Sequence, residues 1–159
     1  MCKVGAGGVL TDPGNDVRTW FTGALFADGE LSLSVEGAAA SGREVLACGL
    51  VCANAKYNAI QCNPWADYNK QMARVSIAPD MAALPAVNTN YWFYACSALK
   101  TVLVDADWTL PKSGLSGLST FYNCRAVVGG NGTAYDTGKT GYAMMRVDTA
   151  GAAGYLTAG

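Results

Sequence analysis

The chain has 159 residues, 51% hydrophobic and only 14% charged, with a formal net charge of −1. That length suits one domain with one sizeable core, and a charged fraction far below the usual quarter suits packed backbone layers better than a helical bundle. Scattered single lysines and arginines exclude a nucleic-acid or polybasic membrane footprint, and the absence of histidine excludes Ser-His-Asp and Cys-His nucleophile pairs, His-ligated zinc and a histidine proton shuttle.

Residues 1–18 read as an N-terminal arm. They hold one lysine before the first acid but no apolar core of signal-peptide length. No later run approaches the roughly 18 apolar residues of a membrane span.

The next region, 19–62, reads as a hairpin and cap. Two alternating runs between Thr19 and Val35 flank Asp28-Gly29, a pair that favours positive φ at both turn positions of a β-hairpin. Phe21, Leu25, Leu31, Leu33 and Val35 line one face, with Ser32 and Ser34 on the other. A small-residue linker, "EGAAASG", follows. In "REVLACGLVC", Ser41 with Glu44 mimics a helix capping box, while Val45, Ala47 and Gly49 alternate as in a strand; the strand is the favoured reading.

Six cysteines stand at 2, 48, 52, 62, 96 and 124. The Cys48/Cys52 spacing lacks the matching second pair of a zinc site, and the chain exceeds the size of disulfide-dependent domains. The simplest expectation is small, buried, free thiols, with no metal and no cofactor.

From 63 to 130 the sequence echoes itself. Trp65 and Trp92 stand 27 positions apart, and Met72, Val75 and Ile77 fall against Leu99, Val102 and Val104 at the same offset. Cys124 follows Cys96 by 28, and "TFYNCRAVVGG" repeats "WFYACSALKTV". A period in the range of 20–30 residues marks about three stacked units, each a turn, a cysteine, a buried aliphatic and a short strand. Stacked strands lie about 4.8 Å apart, so Cys96 and Cys124 become neighbours. They are within the reach of a disulfide, although a ladder of thiols is the simpler state.

The phrases "NYWFYACSALKTV" and "STFYNCRAVVGGNGTAYDTGKTGYAMMRVDTAGAAGYLTAG" resemble the closing repeats of BspA-type leucine-rich-repeat surface proteins, and Asn63–Ile77 is similar to that family's entry into its first repeat. The resemblance covers residues 63–159. It implies a β-rich (α+β) fold: a short leucine-rich-repeat-like solenoid with an N-terminal hairpin cap and, over 131–159, a C-terminal strand cap. It also implies an adhesive or recognition module at an exterior surface. The family's proteins carry many repeats, an export signal and a wall anchor; this chain has about three repeats and neither of the other features. A phage virion structural protein, a head-decoration or fibre subunit, is therefore the alternative.

Gly138-Lys139-Thr140 ends like a phosphate-binding loop, but Thr133 stands where the motif needs glycine. The residues that follow read as strands, which offer phosphate no helix N-terminus. Asp105 and Asp107 form a same-side carboxylate pair if their strand continues, the basis for a third reading as a small glycan-active enzyme; a strand end turning into a loop accounts for them more simply. Asn131-Gly132-Thr133 is a formal glycosylation sequon that a turn explains equally well. Asp148 beside Arg146 reads as a surface pair.

Aromatic residues give the candidate contact surface. Trp92, Phe93 and Phe121 are expected in the core, leaving Tyr94, Trp108 and Tyr122 as an exposed row for protein or carbohydrate at a cell or virion surface. The reading is a non-catalytic binding module, with self-association among its possible partners.

Overall fold

The computed structural model describes residues 9–11, 17–37, 42–55, 59–109 and 117–159. Cys2, Ser41 and most of the small-residue linker lie outside them. The described residues form a β-rich mixed sheet with four short 3-10 turns and no α-helix. Strands β4 (Val45–Cys52), β2 (Val17–Phe26), β3 (Glu30–Ser34), β5 (Arg74–Ile77), β6 (Thr101–Val104) and β7 (Leu156–Ala158) follow one another across it. Strand β1 (Val9–Thr11) pairs with the start of β2, and the sheet does not close.

The β2–β3 hairpin forms where Asp28-Gly29 places it, but the turn differs from the expected two-residue type. Gly29 N–H bonds to Phe26 O at 3.0 Å, and Leu25 pairs with Leu31. Only Gly29, at φ 88°, is left-handed, as in the longer hairpin turn that ends in a glycine bulge. Asp28 instead accepts the Glu30 N–H and pairs with Arg43 at 2.7 Å; Arg74 in turn meets Glu30 at 2.7 Å. The guanidinium of Arg43 also covers the Phe26 ring at 3.8 Å.

Residues 45–52 are a strand, as their alternation favoured, and pair antiparallel with β2. Gly23 and Gly49 are register partners there. A Cβ on Gly23 would fall 2.1 Å from Trp65 Cζ3, and one on Gly49 would fall 2.8 Å from Pro64 Cγ. The glycine pair thus lets Pro64-Trp65 lie directly on the sheet.

Beyond the hairpin the ladder turns parallel. Leu31, Val75, Val102 and Leu156 lie in one register row, and all four are fully buried. Val75 and Val102 keep the 27-residue offset read from the sequence. Such side chains, alternating with Ser76 and Leu103 on the other face, bury one side of a pleated sheet.

The third unit keeps its turn and loses its strand. Val128 N–H reaches Lys100 O at 3.0 Å, but Gly129-Gly130 then leave the ladder, and β7 pairs with β6 instead. Glycines supply no side chain to pack at those positions; Leu156 and its neighbour Tyr155, both fully buried, supply it from 26 residues further on. The segment after Lys139, expected as strands, forms a 3-10 turn at Tyr142–Met144 and isolated bridges at Val147 and Thr149–Ala152.

Asp148 is not the surface partner of Arg146 that its position beside it suggested. It is buried and has no ion pair with Arg146 among the described residues; Arg146 Nε donates to Ala153 O. Its carboxylate accepts from Asn131 N, Thr133 N, Thr133 Oγ1 and Gly154 N at 2.7–3.2 Å. Burial pushes this carboxyl up, but these hydrogen bonds, led by Thr133 Oγ1, outweigh burial and hold it below the usual carboxylate range.

Cys96 and Cys124 are buried free thiols, whereas Cys48 is disulfide-bonded, contrary to the free-thiol expectation. Cys52 and Cys62 are free, and Cys62 is exposed.

Candidate functional site

Two successive turns, 90–96 and 118–124, build the candidate surface. Tyr91 and Ala95 are left-handed at φ 59° and 58°; Ser119 and Asn123 repeat this at 53° and 60°, 28 positions later. Non-glycine residues rarely adopt this region, so the matched pairs show one backbone path used twice. Tyr91 N, Phe93 N and Ala95 N donate to Leu118 O, Thr120 O and Tyr122 O at 3.1, 2.9 and 2.7 Å.

That ladder fixes which aromatics face inward. Phe93 and Phe121 point into the core with ring centroids 5.3 Å apart, and Tyr155 meets Phe121 edge-on at 5.0 Å. Trp92 is buried with them. The next residue in each turn points outward, so Tyr94 and Tyr122 stack at 4.9 Å with 15° between planes. Tyr91 meets Tyr94 edge-on at 5.7 Å and 74°. Tyr122 is 48% exposed.

Trp108 does not join this row. Strand β6 ends at Val104, Trp108 N–H closes a turn onto Asp105 O at 2.9 Å, and the indole folds back into the core, 7% exposed. Leu118, 58% exposed, and Tyr142, 46% exposed, are the apolar residues that stand out in adjoining segments instead. They are joined through Tyr142 N–H on Gly117 O at 3.0 Å.

Two asparagines that tie the turns together escaped the sequence reading. Asn63 and Asn90, 27 positions apart and both buried, each reach the following unit: Asn63 Nδ2 donates to Tyr91 O at 3.1 Å, and Asn90 Oδ1 accepts from Leu118 N at 2.7 Å. The shared signal was Asn-x-Trp, present at Asn63-Trp65 and Asn90-Trp92.

The remaining candidate chemistry disperses. Asp105 and Asp107 are both exposed on the turn after β6. Gly138 N–H bonds to Asp136 Oδ1 at 2.8 Å and Lys139 N–H to Asp136 O at 3.0 Å, so Gly138-Lys139-Thr140 belongs to an Asp-closed turn followed only by the single 3-10 turn at Tyr142–Met144 and by no α-helix. The sequon residue Thr133 is engaged by Asp148. Among the described residues, no three His, Cys, Asp or Glu side chains gather to hold a metal ion, and no helix is long and apolar enough to cross a membrane.

No protein-family model, curated protein or solved structure matches the chain significantly.

Proposed function

We propose that this chain is a non-catalytic binding module for an exterior surface, built as a short solenoid of leucine-rich-repeat type and making contact through Tyr94 and Tyr122. The solenoid reading is supported by the parallel β3-β5-β6 ladder, in which β5 and β6 keep the 27-residue offset, and by the left-handed pairs repeated at 28. The hairpin at one end and β7 at the other then act as caps, as the BspA-type resemblance implies. The observation that carries the binding reading is the Tyr94–Tyr122 stack, with Tyr122 half-exposed, on turns joined by main-chain hydrogen bonds. Exposed, pre-organised tyrosines are what binding surfaces concentrate.

A second reading, a phage virion structural protein, draws on Leu118 and Tyr142, which stand out together as an assembly interface would. Asp105 and Asp107 give the enzymatic reading little, because glycosidases separate two carboxyls by desolvating one, and both of these are exposed. Light scattering on a sizing column decides between the first two. A monomer is expected of a binding module; a closed trimer or larger ring transfers support to the virion subunit.

A further inference from the structure

Asn131 is the one asparagine in the sequence that is followed by glycine. It lies in the turn between Val128 and Ala134, which bridge to each other. Asn131 and Gly132 are both exposed, and a Cβ built on Gly132 would meet nothing within 4 Å. Asparagine is a chemically labile residue, and a glycine after it leaves the main chain unobstructed. The reaction open to such a pair needs only water. The main-chain nitrogen of Gly132 loses its proton and attacks Asn131 Cγ. Ammonia leaves as the new C–N bond closes a cyclic imide, and water then opens the imide to aspartate or isoaspartate.

In the folded chain the nitrogens that would have to move are held. Gly132 N–H, the attacking group, donates to Gly129 O at 2.9 Å. Asn131 N and Thr133 N, on either side of it, both donate to one oxygen, Asp148 Oδ2, at 2.9 and 3.0 Å. The peptide between them cannot swing toward Asn131 Cγ unless a charge-assisted hydrogen bond to the buried carboxylate breaks. The other carboxylate oxygen accepts from Thr133 Oγ1 at 2.7 Å and Gly154 N at 3.2 Å, which ties the turn to the segment leading into β7. The seat is close-fitting: a Cβ on Gly129 would fall 2.5 Å from Asp148 Oδ2 and 2.3 Å from Gly154 O.

We propose that Asn131-Gly132 is a modification site under the control of the C-terminal segment. It is protected while Asp148 and Gly154 are seated on the turn, and Asn131 is converted to aspartate or isoaspartate when they leave it. The conversion is one-way. Isoaspartate inserts an extra main-chain atom between the nitrogens that Asp148 anchors, and either product adds a second negative charge to the turn that Asp148 holds, so reseating is opposed.

The test is incubation of the full chain at mildly alkaline pH, folded and in denaturant, with mass analysis of the tryptic peptide Ala126–Lys139. Deamidation at Asn131 is expected to be at least about tenfold slower in the folded chain than in denaturant. Asp148→Asn should shrink that protection, each variant being referred to its own rate in denaturant. Thr133→Ala, which keeps the carboxylate and removes one of its donors, should shrink it less, and it decides the matter if Asp148→Asn does not fold. Equal rates for the folded and denatured wild-type chain overturn the proposal. So does the absence of reaction in denaturant, or a folded Asp148→Asn chain as protected as wild type.

Discussion

Trp65 donates its indole N–H to the carbonyl oxygen of Trp92 at 2.7 Å, so the two tryptophans that mark the repeat in the sequence also join one unit to the next. The bond is buried, and Trp65 rests on Gly23 of the hairpin while reaching forward to the following turn. One side chain thereby couples the hairpin, the first unit and the second.

Gly23→Ala should therefore be destabilising out of proportion to one methyl group. The new Cβ lands 2.1 Å from the Trp65 ring, and the ring is held by Trp92. Overpacking of this kind costs about 1–3 kcal/mol. Chemical denaturation should show a lowered midpoint for Gly23→Ala, and a smaller loss when Ala is introduced at the open Gly151.

Asp148→Asn should weaken the C-terminal segment that carries β7. The change removes a charged acceptor from four donors, and hydrogen bonds to a charged group contribute about 1.5–3 kcal/mol each. Because the folded-state pKa lies below the unfolded value, this contribution is present above the unfolded pKa and disappears as pH falls through the folded one. The difference in melting temperature between wild type and Asp148→Asn should thus be large at pH 7 and shrink progressively below about pH 4. An unchanged difference at low pH would count against the carboxylate as the cause.

The two core thiols should be chemically silent in the folded protein. Burial raises the thiol of Cys124 to about 12 and pushes that of Cys96 still further up, with Cys124 beside it adding to the effect. Thiolate is the reactive form, so alkylation at pH 8 followed by peptide mass analysis should label the exposed Cys62 and spare Cys96 and Cys124 until denaturant is added. The sign for stability follows from the same shifts. An unfolded chain releases these protons near about 8.5 and the folded one does not, so stability should fall as pH rises above that value.

Ala95→Gly should stabilise or leave stability unchanged, the reverse of the usual effect of glycine. Ala95 is held at φ 58°, where a Cβ costs about 1–2 kcal/mol, and the glycine's extra unfolded-state entropy offsets about 0.4–1 kcal/mol of that. The same substitution at Ala98, which is not among the left-handed residues, should destabilise. Thermal melts of the two variants side by side test the left-handed assignment directly.

Much of the architecture was legible in local chemistry. Asp28-Gly29 announced the hairpin, the alternation at 45–52 announced a strand, and the aromatic-aromatic-x-Cys phrase separated buried Phe93 and Phe121 from outward Tyr94 and Tyr122. These features repeat or alternate over a few residues, and a pleated strand or tight turn translates such patterns into facing with few exceptions. Half of the candidate surface was therefore visible before any coordinates.

What only the tertiary structure decided depends on partners distant in the chain. Gly129-Gly130 break the third strand, but nothing local says that Leu156 takes the vacant place beside Val102. Asp148 looks like half of a surface pair until the Asn131–Thr133 turn and Gly154 close around it. Trp108 looks exposed until a turn after β6 carries its indole inward. The sequence determined the repeating unit because that unit is specified by spacing and side-chain type. It left the end of the parallel ladder undetermined, because an end is settled by whichever segment can bury the last open row and satisfy its backbone groups.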